Sequence, residues 1–385
     1  MAVLVLDNGA SSAKVGYNTS DSPRLIPNCI FKAKSERRKL FIGDQLEECK
    51  DYSGLFYVMP FQKGFLVNWD IEKQIWDYIF GKEVMKVDFP ETTVLVTEPQ
   101  FNFSSIKDAM DEILFEEYNF KAICRSTAAQ LSAYKSHNDE SEKRIMCLVV
   151  DSGYSFTHIV PVFNGKVLKK GVKRINVGGK LLTNHLKEII SYRSRKIPAM
   201  CQITSSGTCN LLSCEGPKNT VVRDYVLPDY THIKRGYVKS ATEMLLGSKK
   251  ENEQVLRMNN ERFAVPELLF HPSDIGIQEM GIPEAISHAI DELPTEMRPH
   301  CYMNILLTGG SSLFPGMKER VFSEVRRLAP FDVDVAVHCP SRPITHAWEG
   351  GAALSKTDVF LNKMCVTKAE YDDNGKNICR EKFDS

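Results

Sequence analysis

Apolar residues along this chain gather in short unbroken runs that end in turn residues. Val3-Leu4-Val5-Leu6 runs into Asp7-Asn8-Gly9, and Cys147-Leu148-Val149-Val150 runs into Asp151-Ser152-Gly153. A buried run closed by Asp-x-Gly predicts a strand followed by a tight hairpin. Lys14 to Tyr17 then reads as the returning strand of the first hairpin. A third run, Asn304 to Leu307, ends in Gly309-Gly310 and is followed by a predicted helix over Met317 to Leu328. Between the runs, Ile71, Ile75 and Ile79 recur at spacing four beside Trp76 and Phe80, which predicts an amphipathic helix from Trp69 to Phe80. Thr93 to Thr97 reads as a buried strand, Ser104 to Phe115 as a helix capped by its serines, and Gly178-Gly179 as the lead into another helix. Strands alternating with helices predict the α/β class, with a mixed, largely parallel sheet covered by helices. The duplicated hairpins predict two related halves.

Two stretches break the pattern. Residues 31–60 carry Lys32, Lys34, Arg37, Arg38 and Lys39 with too few periodic apolar positions for a core, so they read as a small polar lobe over a cleft. Residues 194–219 are rich in Pro, Gly, Ser and Lys and show neither period, which predicts a weakly packed loop.

The hydrophobic content, 43% of 385 residues, suffices for two core-bearing domains. Lys plus Arg equals Asp plus Glu at 49 each, so no long-range field favours nucleic acid or membrane and any such contact must be local. The run before Asp7 is too short for a signal peptide and no run approaches the roughly 20 residues of a membrane helix, so an intracellular protein is expected. Eleven cysteines occur without a Cys-x-x-Cys, and the loose group Cys201, Cys209 and Cys214 lacks zinc spacing; intracellular thiols are expected. The basic clusters Lys32 to Lys39, Lys166 to Arg174 and Arg193 to Lys196 read first as solvated faces.

A single Asp-x-Gly is an ordinary turn, because Asp and Gly are what turns demand. Two of them facing each other are a different matter. They would aim consecutive backbone N–H groups at a polyphosphate from both sides, while Asp7 and Asp151 hold the waters of a hydrated Mg²⁺.

The order of hairpin, hairpin, glycine-led helix and strand-Gly-Gly resembles the actin, heat-shock chaperone and sugar-kinase superfamily. Within it the chain resembles the actin family nearly end to end. The likeness is carried by Tyr57 to Asp70, Thr97-Glu98-Pro99, Asp151 to His158, Trp348-Glu349-Gly350-Gly351 and Glu370 to Gly375. Pro60 to Gly64, Ile175 to Arg193, Arg262 to Glu267 and Gly276 to Pro283 resemble its nuclear actin-related branch. The resemblance implies an actin-like ATPase fold, two ribonuclease-H-like halves around a nucleotide cleft with smaller inserts. Residues 1–30, 66–141 and 346–385 would form the first subdomain and 31–65 the second. Residues 142–180 and 265–345 would form the third, and 181–264 the fourth, including the divergent loop.

Position by position, the resemblance implies ATP or ADP with Mg²⁺, or a vestigial site. Asp7 and Asp151 match the metal-water carboxylates and Lys14 the phosphate-binding lysine. Gly9, Ala10, Ser11 and Ser12 form the first phosphate loop, with Ala10 in place of a serine. Ser152 and Gly153 begin the second, where Tyr154 replaces an Asp and crowds the terminal phosphate. Gly309, Gly310, Ser311, Leu313 and Phe314 match the adenosine-side loop and Gly179 the neighbouring helix start, while Ile344 replaces an adenine-contacting lysine. Leu131-Ser132-Ala133-Tyr134 sets a register that puts Ala128 where the family places its water-positioning glutamine. Gln130 stands two residues late, a rotation of roughly 200° on a helix. His158 matches a histidine near that water, or is a hydrogen-bonded core residue. The Lys-Glu pair that clasps ribose and base is expected in 194–219 and is not supplied there; a missing clasp and a divergent or alternatively spliced segment both fit.

The function implied is that of a non-catalytic scaffold subunit of a nuclear SWR/SRCAP-type chromatin remodeller, which exchanges a histone variant into nucleosomes and supports transcriptional regulation. Its partners would be the zinc-finger HIT-type subunit, the motor subunit, the nucleosome through the complex, and heterochromatin proteins. Arg37, Arg38 and Lys39 are the candidate nucleosome or DNA contacts. The apolar residues among Arg262 to Pro283 either dock a partner or pack within the larger domain. The competing classes are an ATP-binding protein with slow hydrolysis and a cytoskeletal filament former. The segment Phe31 to Asp51, which lacks the family's inter-subunit loop, opposes the latter. A nuclear location is expected, with the cytoplasm as a second compartment.

Overall fold

The chain's computed structural model describes residues 2–34, 39–49, 52, 54–139, 145–193, 222–229, 233, 236–240, 242–243 and 253–384. The expectations for Arg37, Arg38 and the 194–219 loop, with its three cysteines, lie outside these residues.

Two six-stranded sheets carry the architecture. The first runs in the order Val366–Thr367, Ala122–Thr127, Thr93–Glu98, Val3–Asn8, Ser12–Tyr17, Arg24–Pro27. The second runs Lys166–Val167, Thr157–Phe163, Met146–Ser152, Ile305–Thr308, Val337–His338, with Lys173–Ile175 also paired to Thr157–Phe163. Each has a central strand with an antiparallel hairpin partner on one side and a parallel strand on the other. All six residues of Val3–Asn8 and of Thr93–Glu98 are buried, as strands covered on both faces must be.

The repetition extends to single residues. Asp7 pairs with Lys14 across the first hairpin, and Asp151 pairs with His158 across the second. The last pairs are Asn8 with Ala13 and Ser152 with Thr157, so each loop holds the four residues 9–12 or 153–156. The tight Asp-x-Gly hairpin expected from sequence is therefore corrected to a wider loop.

The helix Trp69–Phe80 buries Ile75, Trp76, Ile79 and Phe80 and is capped by Asn68, whose side chain accepts from the Ile71 N–H. The helix Met317–Leu328 also appears where predicted. The helix from Ser104 ends as α at Glu112 and continues as a wide π turn over Ile113–Glu117. Its serines do not cap it. The chain already enters the helix at Phe103, so no hydroxyl faces the free N–H groups.

One further expectation is corrected. The insert after residue 30 has a core of its own, a three-stranded sheet of Leu40–Ile42, Ile30–Lys32 and Phe56–Val58 that buries Cys29, Phe31, Ala33, Phe41 and Cys49. The alternation of 29, 31 and 33 is a strand period hidden among lysines. In the segment after Arg262, Val265, Leu268, Leu269 and Phe270 are buried in the second half's core, as internal packing requires, while Phe263 is exposed. No described helix is long and apolar enough to cross a membrane.

Candidate functional site

Both hairpin loops and the Gly309 loop meet where the two central strands end. Asp7 is buried at the close of its strand, with Lys14 Nζ 3.1 Å from its Oδ2. Thr97 Oγ1 donates to Asp7 Oδ1 at 2.8 Å and accepts from the Asn8 N–H at 2.9 Å, tying the neighbouring parallel strand to the site. Asn28 Nδ2 donates to the Gly9 carbonyl and to Asn8 Oδ1, each at 3.1 Å, and the Asn28 N–H donates to the Ser11 carbonyl at 3.0 Å. The first loop is thus held from behind by its own carbonyls. Gly9 has no room for a side chain, because a Cβ there would lie 2.9 Å from the Ser12 carbonyl oxygen.

The second loop is braced differently. The Gly179 N–H donates to the Gly153 carbonyl at 3.0 Å and the Lys180 N–H to the Tyr154 carbonyl at 2.8 Å, so the first turn of the Gly179–Arg193 helix is satisfied by the loop itself. Ser152 Oγ lies 2.9 Å from Thr157 Oγ1 in the interior, so this hydroxyl faces away from the cleft. Gly309 adopts φ +86°, and a Cβ on it would strike the Ser152 carbonyl and come within 2.8 Å of Asp151 Oδ1. Only glycine fits there. Gly310 to Leu313 form a short 3₁₀ turn in which Ser311 is buried and Leu313 exposed, while Phe314 sits in the core of the second half. Ala10, Ser11 and Ser12 are half-buried on the first loop.

Burial pushes the Asp151 carboxyl up to about 6, with the nearby Asp7 charge adding and Lys14 opposing. The two aspartates therefore sense each other across the cleft. A hydrated divalent cation between them would relieve that repulsion, and Lys14 supplies a charge for phosphate, so the phosphate end fits a metal–nucleotide. Among the described residues no cluster of three or more His, Cys, Asp or Glu could ligate a metal directly.

The hydrolytic side is occupied otherwise. Ala128 opens the helix Ala128–Asp139. Gln130 Oε1 accepts from Thr127 Oγ1 at 3.0 Å and from the Thr127 N–H at 3.4 Å, so this amide caps its own helix. His158 is buried, and burial together with Arg174 lowers it to about 3, which keeps the imidazole neutral. Its ring lies 4.1 Å from that of Phe156.

Sequence reasoning missed Thr97, Asn28 and Glu72 as supports of the first loop. Glu72 is fully buried on the Trp69–Phe80 helix and accepts from Asn8 Nδ2 at 2.6 Å. Its acidic character within an apolar face was the one available signal. Burial raises its carboxyl from 4.5 to about 7, with hydrogen bonds from Asn8, Asn28 and Trp76 opposing. A raised carboxyl binds its proton more readily when folded, so its stabilisation is present below about pH 4.5 and is lost as pH rises through 7. Glu72→Gln keeps the acceptor without the charge. Urea unfolding at pH 5.5 and pH 8 should show wild type losing on the order of 2 kcal/mol more than this variant across that interval. Equal losses would mean that Glu72 is ionised throughout.

Of the nucleosome-contact candidates only Lys39 is described. It is exposed, 3.0 Å from Glu48 and 4.7 Å above the Phe41 ring.

Comparison with known proteins agrees with this geometry. The family model described as Actin matches residues 1–208 and 199–384. The chain is 42% identical over 394 residues to actin-related protein 6 of Drosophila melanogaster, covering 97% of this chain and 98% of the fly protein. It is 37% identical over 415 residues to an actin-like protein of Cryptococcus neoformans, covering 100% and 84% of the two chains, and 34% identical over 426 residues to actin-related protein 6 of Oryza sativa subsp. indica, covering 99% and 98%. Two duplicated half-sheets that each deliver an aspartate and a loop to one cleft, in a chain with this end-to-end likeness, make the protein a member of the actin family.

Proposed function

We propose that this protein is a non-catalytic scaffold subunit of a nuclear SWR/SRCAP-type remodeller that exchanges a histone variant into nucleosomes. The observation that supports the non-catalytic part is Ala128 at the helix start, with the Oε1 of the neighbouring Gln130 engaged by Thr127. Nucleotide binding in general comes with the family. Asp7 and Asp151 would hold the metal's waters, Lys14 would meet phosphate, and loops 9–12 and 153–156 would offer backbone N–H groups. ATP or ADP with Mg²⁺, when bound, would supply only charge between the two phosphate loops, a structural rather than a reactive part.

The likeness to proteins named actin-related protein 6 supports the remodeller assignment. The partners are then the zinc-finger HIT-type subunit and the motor subunit, with the nucleosome reached through the complex. Purification from nuclei should recover both in stoichiometric amounts. Depletion should lower occupancy of the variant histone, and wild type should restore it. A form reversed at Arg37, Arg38 and Lys39 should fold, because exposed pairs such as Lys39–Glu48 contribute at most about 1 kcal/mol, yet should restore occupancy only in part. Unchanged occupancy on depletion would remove the histone-exchange assignment; full rescue by the reversed form would remove only the basic-patch contact.

A further inference from the structure

We propose that the two halves are latched together by side chains of this chain alone, through an aromatic belt beside the second phosphate loop, so that cleft closure does not require a nucleotide. The belt is centred on Arg174. Its guanidinium lies over the Phe65 ring at 4.5 Å and the Phe156 ring at 4.6 Å, one ring from each half. Arg174 Nη2 donates to the Lys63 carbonyl at 2.7 Å, again across the cleft. Arg174 Nε donates to Asn176 Oδ1 at 3.1 Å, and Asn176 is itself fixed by Glu279 at 2.6 Å and 2.8 Å. The plane of the guanidinium is therefore set before the rings close on it.

The first half is shaped to receive this group. Gln62 pairs with Phe65, so Lys63-Gly64 forms a two-residue hairpin turn, with φ of +48° and +78°. Gly64 packs directly on the Phe156 ring, where a Cβ would overlap the ring carbons. The contacts continue on both sides. Phe103 lies 4.9 Å from Phe65, His158 lies 4.1 Å from Phe156, and Phe101 returns to the first half 6.4 Å from His158. Phe101 holds φ +58°, a conformation bulky residues avoid, and so spends backbone energy to place its ring there. On the insert side, Tyr154 Oη donates to Met59 Sδ at 3.7 Å.

A cleft closed by a ligand alone would present hydrated walls when empty. Beside the second phosphate loop the facing walls carry the Phe65 and Phe156 rings, and Arg174 between them is stacked and hydrogen-bonded, so opening unstacks the guanidinium and exposes more of both rings to water. Closure is then a property of the polypeptide. This inference does not depend on which complex the protein serves.

Hydrogen exchange of the full chain tests it, read at residues 61–66 and 154–158, with the Val3–Asn8 strand as the reference for global unfolding. Samples are compared in Mg-ATP and after treatment with EDTA and apyrase. Stripped wild type should keep its protection at both segments within about twofold, and stripped Arg174→Ala should lose about tenfold or more while the reference strand is unchanged. Arg174→Lys, which keeps the charge without the planar stack, should behave as Arg174→Ala. Should Arg174→Ala not fold, Phe65→Ala removes one ring from a partly exposed hairpin and is read in its place. Stripped wild type opening as far as the variant, or a variant as protected as stripped wild type, would overturn the latch.

Discussion

Phosphate release from Mg-ATP is expected to run about two to four orders of magnitude more slowly for this protein than for filamentous actin, because Ala128 stands where the resemblance places the glutamine that positions the attacking water. In the proposed site Asp7, Lys14 and Asp151 would bear on binding and on the charge of the phosphates rather than orient a nucleophile. Gln130 is near in sequence but spent, with its oxygen held by Thr127 at the helix start. Ala128→Gln places an amide in the first turn of that helix and should raise the rate by about tenfold or more if the water is the missing element. A variant that binds nucleotide but hydrolyses no faster would shift the cause to Tyr154, which stands in the second loop and reaches the insert. Wild-type turnover comparable to filamentous actin would end the non-catalytic reading.

The second large effect is structural. Arg125 is fully buried in the first half, with Asp111 at 2.9 Å, Glu98 at 3.1 Å and Asp384 at 3.5 Å, and its guanidinium lies 5.0 Å above the Phe383 ring. Lys107 adds a contact to Asp384 at 2.9 Å. Arg125→Ala would leave the buried Asp111 without its cation, while Lys107 still reaches Glu98 and Asp384, and should cost about 3–5 kcal/mol in urea unfolding. Asp111→Asn should cost clearly less. Burial holds the Asp111 carboxyl up to about 7 against the pull of Arg125, so its neutral form is already close in energy. Both variants should also loosen the C-terminal helix Lys376–Phe383, since Phe383 and Asp384 rest on the same arginine. A loss below about 1 kcal/mol for Arg125→Ala would show that the cluster is not what anchors this end.

Both effects turn on groups that a linear reading weighs differently. Ala128 was legible because its register is set by neighbours in sequence, Leu131 to Tyr134. Arg125 was not, since nothing local distinguishes an arginine in a strand from a surface one; three carboxylates from a strand, a helix and the chain's end make it a buried hub.

The chain's own pattern determined the elements and the cleft's main chemistry. The strands at Val3–Asn8 and Met146–Ser152 follow from unbroken apolar runs closed by turn residues, and the helices at Trp69–Phe80 and Met317–Leu328 from helix-forming segments, the first with a helical period, all of them signals between near neighbours. Asp7 and Asp151 were found because each sits at the end of such a run. What only the tertiary structure decided lies between distant positions. Thr97 supports Asp7 across 90 residues, Asn8 meets Glu72 across 64, and Arg174 reaches Lys63 across 111. The same holds for the side chains of Ser152 and Phe314: the Ser152 hydroxyl meets Thr157 in the interior, and Phe314 packs in the second core. Local propensity sets which backbone forms, but which side chains face one another depends on how two sheets and their loops are brought together, and no short-range pattern carries that information.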